Sequence, residues 1–172
     1  DMNNIDAAHT IVDYFLKHGH QEIGFIRGNV KVENFRLREK GYCQAMKHFG
    51  LPLDSSNIIP VDATFTGAYN DTINYLKGGG QLPPALFISN DIIAYGCIKA
   101  MRDCQISVPE DVSVIGFDDL PMSAIVDPPL TTFSVSKRSM GKRAFELCAA
   151  KLIEGRQRPS EKVLIDGRLI ER

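Results

Sequence analysis

The sequence lacks an excess of charge of either sign: 20 lysine and arginine residues stand against 21 aspartate and glutamate residues in 172. A domain that binds nucleic acid by itself carries a concentrated basic surface. The densest basic stretch, residues 137–143, has the pattern of a solvated helix face. The composition therefore argues against direct nucleic-acid binding by these residues.

Cysteine pairs and metal-binding patterns are also lacking. The four cysteines, at positions 43, 97, 104 and 148, form no C-x-x-C pair, and no histidine stands at a metal-ligand spacing. Cys97 and Cys104 are seven residues apart on one predicted helix, about two turns, which is too far for a disulfide. We therefore expect free thiols in a reducing cytoplasm, and neither a metal nor a cofactor.

Membrane segments and enzyme motifs are missing as well. No apolar stretch reaches the length that crosses a bilayer, and residues 1–4 do not resemble a signal peptide. The chain has no G-x-S-x-G, no P-loop and no G-x-G-x-x-G, and the glycines at 78–80 follow a helix, as a C-cap does. We expect a protein that is not an enzyme and does not contact a membrane.

The sequence does contain alternating strand and helix patterns. Short apolar runs predict strands buried on both faces, and apolar residues at helical spacing predict the helices. The core strands are predicted at 23–26, 57–61, 85–89 and 112–115, and the helices between them at 35–49, 66–77 and 92–103. The flanking elements are helices at 5–16 and 136–154, a β-rich segment at 130–133, and terminal strands at 161–165 and 168–170. Repeated β-α units predict an α/β fold with a doubly wound parallel sheet, in which Pro60 places its strand near an edge.

Asp118 and Asp119 follow a predicted strand, at the edge where open α/β sheets bind ligands. The Asp118 carboxylate is suited to accept hydrogen bonds from two neighbouring sugar hydroxyls or from a base N–H. The alternative is that either aspartate caps a turn. A magnesium or phospho-acceptor role would need further acids at the end of the first strand, where residues 27–29 supply none.

Three more residues are candidates for the same edge. Arg38 lies in the first turns of the helix after the first strand, and its planar fork of donors suits carboxylates, phosphates or paired hydroxyls; the alternative is a solvated arginine. Asn90 lies between a strand and a helix, so either Asn90 or Asp91 is a candidate N-cap. Phe65 is suited to stack on a sugar or base face, or to pack in the core.

Four motifs, in order, resemble those of LacI/GalR-type transcription regulators. The most distinctive is VPEDVSVIGFDD at 108–119, followed by PLTT at 129–132. The others are GHQEIGFI at 19–26, REKGY at 38–42 and FISNDIIAYG at 87–96. The resemblance covers nearly the whole chain, from about residue 3 to residue 172.

The resemblance implies a periplasmic-binding-protein-like fold of type I, in which two similar α/β subdomains are joined by three crossing strands. It places a largely complete second, C-terminal subdomain at 20–120 plus 158–172. Only part of the first, N-terminal subdomain would be present, at 1–19 plus 130–157. The DNA-binding helix-turn-helix head of the family would be absent.

The resemblance also assigns roles to residues. The family's ligand-contacting acid falls on Asp118, its R-x-x-G pattern matches Arg38, and Asn90 falls at the ligand cleft with Asp91 as the helix cap. The family's aromatic position falls on Phe65 or on Ala63. The dimer surface would include the helix after Asn90 and the loop 120–126, with five apolar residues: Tyr95, Leu120, Met122, Ile125 and Val126.

The function implied by the resemblance is effector sensing in a transcriptional repressor. A small molecule, most often a sugar or sugar derivative, would bridge two subdomains and change their orientation. A homodimer would carry that change to operator DNA through the paired heads. The alternative is a periplasmic sugar-binding protein of a transport system, which shares the fold, although free cysteines and the PLTT segment argue against it.

Overall fold

The computed structural model describes residues 1–154 and 162–172, along which five α-helices and six strands are found. The helices are α1 (Asn4–Lys17), α2 (Glu33–His48), α3 (Phe65–Lys77), α4 (Asp91–Asp103) and α5 (Lys137–Glu154). The strands are β1 (Ile23–Gly28), β2 (Ile58–Val61), β3 (Ala85–Ile88), β4 (Ser113–Phe117), β5 (Thr131–Val135) and β6 (Gly167–Ile170). The described residues also form two 3-10 turns, Ser55–Asn57 before β2 and Pro121–Ala124 between β4 and β5.

The six strands form one sheet in the order β2-β1-β3-β4-β5-β6. Strands β1 to β5 run parallel, and β6 is antiparallel to β5. The strand order reverses beside β1, with β2 on one side and β3 to β5 on the other. The predicted α/β fold with a doubly wound sheet is confirmed, and β2, which contains Pro60, lies at the predicted edge.

Helices cover both faces of the sheet. Phe25 and Phe87 belong to a core that also contains apolar residues of α1 and α2. Their chain neighbours Ile26 and Ile88 belong to a second core, with residues of α3 and α4. Successive strand side chains point to opposite faces, so a strand covered on both sides has no polar face. This explains why β3 is buried at every position.

Two helices end where the sequence places glycine. Gly19 follows α1 and Gly50 follows α2, with φ angles of +89° and +67°. Residues with a Cβ rarely adopt such angles, whereas glycine does so at little cost. Glycine at these two positions therefore allows each helix to end without backbone strain.

The predicted strand at 161–165 was wrong over the residues that the structure describes. Residues 162–164 form no strand, and Ile165 makes an isolated parallel bridge with Met2; residue 161 lies outside the described residues. The main chain of Ile165 exchanges hydrogen bonds with Asp1 and Asn3, which gives an isolated bridge and not a strand. The second terminal strand, predicted at 168–170, is confirmed as β6.

The subdomain boundaries, 20–120 plus 158–172 and 1–19 plus 130–157, stay a prediction, and their residues 155–161 lie outside the described part of the chain. In the structure α1 shares a core with the sheet, and β5 extends the sheet beyond β4. Helix α5 is less covered: Phe145 and Leu152 are 75% and 85% exposed, although Met140 packs on the core. Exposed apolar side chains of this size favour association.

Gly41 lies at the contact between α1 and α2 and provides a test of this packing. A Cβ at this position would lie 2.8 Å from both the Ala8 Cβ and the Ile5 carbonyl oxygen. We expect Gly41→Ala to lower the free energy of unfolding by about 1–3 kcal/mol, because the helices must separate. Urea unfolding followed by circular dichroism measures this change. The control is Gly141→Ala on α5, where no atom lies within 4 Å of the added Cβ. This variant should raise the free energy of unfolding by up to about 1 kcal/mol, because alanine favours a helix more than glycine does. Equal effects of the two variants would contradict the close packing of α1 against α2 at Gly41.

Candidate functional site

Arg38 on α2 is a buried cation at the carboxyl edge of the sheet, with 2% of its surface exposed. Its guanidinium donates hydrogen bonds to the Asn4 side-chain oxygen (3.0 Å) and to the main-chain oxygen of Ser89. A third bond, of 3.3 Å, goes to the carboxylate of Asp118. The Phe117 ring centroid lies 3.6 Å from the guanidinium carbon, which is a cation–π contact. Contacts from α1, β4 and the segments after β3 and β4 therefore fix this side chain.

Asp118 supplies the opposite charge and is the more accessible partner. Its side chain is 31% exposed, against 3% for Arg38. The φ angle of Asp118 is +106°. The Asp118 N–H donates to the Phe133 carbonyl, and the Lys137 ammonium donates to the Asp118 carbonyl at 2.8 Å. Burial raises the pKa of Asp118, and the positive charge of Arg38 opposes this rise. Strained backbone of this kind is often found at ligand sites.

Asp119 has different partners. Its carboxylate accepts a hydrogen bond of 2.6 Å from Arg172, which also donates to the Leu130 carbonyl. Burial acts to raise the pKa of Asp119, but the hydrogen bond from Arg172 and other favourable contacts outweigh it, so the pKa is lowered. Asp119 thus ties Arg172 to the segment between β4 and β5, whereas Asp118 stays partly exposed beside Arg38.

A cleft of about 530 Å³ opens at the carboxyl end of β1. It is lined by residues 27–33 and by Phe35, Arg36 and Glu39 of α2. Arg38 and Asp118 are not among the described residues that line this cleft. The Phe35 ring, which does line it, lies 5.7 Å from the Arg38 guanidinium carbon, so the cleft adjoins the charged pair. Small-molecule sites are typically about 300–1,000 Å³ in volume. The edge therefore combines a fixed cation, a carboxylate and space for a small ligand.

Asn90 and Asp91 differ from what the sequence predicted. The Asn90 side chain accepts a hydrogen bond of 2.9 Å from the Ile93 N–H, so Asn90 is the N-cap of α4. The prediction of Asp91 as the cap was wrong, because its buried carboxylate is occupied by donors from other segments. These donors, at 2.6–2.8 Å, are the Leu120 N–H, the Ser123 hydroxyl and the Thr132 hydroxyl. A ligand contact by Asn90 stays a prediction.

Phe65 lies apart from the charged pair. It is 40% exposed at the start of α3 and lines a second cleft, of about 340 Å³. Arg38 and Asp118 are not among the described residues that line this cleft; those that do include Tyr95, Met122 and Val126. The structure therefore groups Phe65 with the residues predicted for the dimer surface, and its proposed stacking on a ligand stays a prediction.

The residues predicted for the dimer surface differ in their exposure. Met122 and Ile125, in and beside the turn after β4, are 49% and 81% exposed. Leu120 and Val126 are half-buried and pack on the α3–α4 core. Tyr95 is buried, with its hydroxyl 2.7 Å from the Ser123 hydroxyl. These residues form a patch with an exposed apolar centre, and its role in a dimer stays a prediction.

Sequence reasoning missed two residues that hold Arg38. Asn4 is 2% exposed, and besides accepting from Arg38 its amide donates to the Met2 carbonyl and to the Asn34 side chain. The Ser89 hydroxyl accepts from the Gly28 N–H at 2.9 Å, while its carbonyl accepts from Arg38. The sequence signals these residues only through their positions. Ser89 directly follows a strand, and Asn4 lies just before an apolar helix pattern, where an asparagine is expected to cap the helix.

The rest of the described chain adds no metal chemistry. Within residues 1–154 and 162–172, no three histidine, cysteine or acidic side chains are grouped as metal ligands. The four cysteines are free thiols, and burial raises the pKa of Cys97 to about 12, which disfavours its reactive thiolate form. Across those same ranges, no helix is both long and apolar enough to cross a bilayer.

Comparison with known proteins gives consistent matches. Residues 12–172 match the family described as periplasmic-binding-protein-like domains. The HTH-type transcriptional repressor CytR of Escherichia coli (strain K12) is 33% identical over 171 residues, which are 99% of this chain and 50% of CytR. The HTH-type transcriptional repressor PurR of Pasteurella multocida (strain Pm70) is 31% identical over 152 residues, 88% of this chain and 45% of PurR.

The crystal structure of a sugar-binding LacI-family regulator from Escherichia coli, complexed with phosphate, has a TM-score of 0.88 at 28% identity, covering 99% of this chain and 60% of that chain. The chain thus spans about half the length of the curated relatives that it matches.

The Asp119–Arg172 pair predicts a pH-dependent contribution to stability. Because the folded-state pKa of Asp119 is lowered, its contribution is present above the pKa of the unfolded chain and is lost as pH falls through the folded value. We expect Asp119→Asn to lower the free energy of unfolding by about 1–2 kcal/mol at pH 7, with the difference from wild type shrinking as pH approaches 3. Urea unfolding across this range measures it. Asp127→Asn is the control, since Asp127 also pairs with an arginine but is 93% exposed, and a comparable loss there would contradict the assignment.

Proposed function

Because the chain belongs to the periplasmic-binding-protein-like domain family, in the group of LacI-family effector-binding domains, we propose that it senses a small sugar-like effector for a transcriptional repressor. The observation that carries this proposal is the Arg38–Asp118 pair at the carboxyl edge of the sheet. The curated relatives are transcriptional repressors, which favours a protein that is not an enzyme.

The chemistry of the pair favours a neutral ligand with several hydroxyl groups. Arginine has five N–H donors, and Arg38 uses three of them on Asn4, Ser89 and Asp118. The remaining donors suit a ligand oxygen, and the Asp118 carboxylate suits ligand hydroxyls. A neutral sugar satisfies both groups without bringing a new charge to a partly buried site. The similar structure from Escherichia coli is described as a sugar-binding regulator.

We propose that effector binding acts by shifting a two-state equilibrium. The ligand would bind between this chain and the remaining part of the effector domain, and it can shift the equilibrium only as far as its affinities for the two states differ. The HTH-type relatives are about twice as long as this chain. We therefore assign operator DNA binding to a helix-turn-helix part outside these residues, in a cytoplasmic homodimer.

The second candidate is a periplasmic sugar-binding protein that feeds a transporter. Its support is the family match, to domains described as periplasmic-binding-protein-like. The repressor relatives and the free cysteines favour the regulator instead, because exported proteins usually meet an oxidising compartment.

Substitution of Asp118 tests the ligand site. We expect Asp118→Gly to abolish the thermal stabilisation that an effector gives the full-length protein carrying this chain. Glycine removes the carboxylate and accepts the φ angle of +106° without strain. At a ligand concentration of about 100 Kd, the wild-type shift should be roughly 5–10 °C. Differential scanning fluorimetry with ribose, cellobiose, adenosine and free purine bases measures it.

The matched control is Asp54→Gly, at a loop aspartate on the opposite edge of the sheet, before β2. This variant should keep the full ligand-induced shift. An effector that stabilises Asp118→Gly as strongly as it stabilises the wild type would contradict the assigned site.

Substitution of Ile125 tests the dimer surface. We expect the 172-residue chain to form a dimer at micromolar concentration and Ile125→Lys to be monomeric, because a lysine would place a charge at the centre of the apolar patch. Ile125 is 81% exposed, so the unfolding free energy of the monomer should change by less than about 0.5 kcal/mol. Sedimentation velocity distinguishes the two states. Leu53→Lys, at an apolar residue that is 46% exposed outside the patch, should stay dimeric, and a dimeric Ile125→Lys would rule out this surface.

A further inference from the structure

Asp91 is a buried carboxylate that joins three segments of the fold. It is the first residue of α4, it is fully buried, and it accepts hydrogen bonds from the Leu120 N–H (2.8 Å) and the Ser123 hydroxyl (2.7 Å) of the turn after β4. A third bond, of 2.6 Å, comes from the Thr132 hydroxyl on β5. An ionised carboxylate only accepts hydrogen bonds, so all three partners must be donors.

These bonds extend to the predicted dimer surface through Ser123. Its single hydroxyl proton is used on Asp91, so in the 2.7 Å contact with Tyr95 the tyrosine hydroxyl must donate to Ser123. Tyr95 lines the same cleft as Met122, and Met122 is the chain neighbour of Ser123. The buried Asp91 carboxylate therefore helps to set the position of the exposed turn.

The same carboxylate lies next to the effector site. Asp91 follows Asn90 in the chain, and its negative charge acts on both Arg38 and Asp118. It also has little freedom to move: a Cβ at Gly116 of β4 would lie only 2.4 Å from its carboxylate oxygen. A displacement at this end of α4 is therefore transmitted to the turn rather than absorbed by empty space.

We propose that Asp91 is a positioning residue that couples the effector site to the dimer surface, by holding the turn Pro121–Ala124 through Leu120 and Ser123. This inference depends on the proposed dimer. It adds to that proposal the residue through which the effector site and the dimer surface influence each other. Asp91 would contact neither the effector nor the partner subunit and would act through the turn.

Two matched substitutions separate this role from a purely structural one. Ser123→Ala removes one of the two bonds between Asp91 and the turn, together with the Tyr95 contact to the Ser123 hydroxyl. Thr132→Val removes an equally short bond between Asp91 and β5, together with the weaker bond from the Asp119 N–H, while keeping the side-chain shape. Both variants lose one hydrogen bond to the same buried carboxylate, so both should lower Tm. We expect only Ser123→Ala to raise the dimer dissociation constant, by at least tenfold, with Thr132→Val within twofold of wild type.

The measurements are sedimentation equilibrium for the dissociation constant and circular dichroism for Tm, on the 172-residue chain. Equal dissociation constants for Ser123→Ala and wild type would overturn the proposal while leaving the dimer itself supported. A wild-type chain that stays monomeric up to about 100 μM, roughly a hundredfold above a micromolar dissociation constant, would overturn both the dimer and this inference.

A double-mutant cycle tests the connection to the effector site. Asp118→Asn removes the negative charge that pairs with Arg38, and asparagine tolerates the positive φ angle at this position. We expect it to change the dimer dissociation constant at least threefold in the wild-type background and less than 1.5-fold in the Ser123→Ala background. Additive effects, or no effect of Asp118→Asn in either background, would show that the turn is not coupled to the cleft.

Discussion

The burial of the Arg38 guanidinium constrains the carboxyl edge of this sheet. A cation with 2% of its surface exposed needs hydrogen-bond acceptors and an opposite charge, because leaving either unmet in the protein interior costs several kcal/mol. The acceptors come from Asn4 on α1, Ser89 after β3 and Asp118 after β4. These segments must approach one point for the charge to be tolerated. The same requirement brings the Asp118 carboxylate to the edge where a ligand can reach it.

Most of the fold could be predicted because its signals are local. Buried strands read as short β-branched runs, helices as apolar residues at helical spacing, and glycine marks helix ends such as that at Gly19. Pro60 even identifies the edge strand, since proline cannot donate a hydrogen bond to a neighbour on that side. The predicted strand at 161–165 failed for the opposite reason. Its pairing depends on Met2, more than 150 residues away, and no local pattern reports whether a distant neighbour is present.

The candidate site could be predicted in part. Asp118 and Arg38 follow from where strands end and from the family motif, and the structure places them in contact. The roles of Asn90 and Asp91 could not be separated by sequence, because either residue type caps a helix equally well. The choice is made by the donors that surround Asp91, which lie 29, 32 and 41 residues further along the chain. Contacts between segments far apart in the chain therefore determine which of the two residues caps α4.

Two carboxylates act electrostatically on Arg38, and they differ in their access to solvent. Asp91 is buried and accepts three hydrogen bonds, whereas Asp118 is 31% exposed and is therefore accessible to a ligand at the proposed site. A ligand that covers Asp118 removes water from the region and lowers the local dielectric constant. Each of the three charges then acts more strongly on the others. Occupancy can thus change the forces on Asp91, and on the turn that it holds, without a large movement of the backbone. A neutral ligand produces this effect purely by exclusion of water, whereas a charged ligand would add a field of its own, which Arg38, Asp118 and the nearby Lys137 would have to balance.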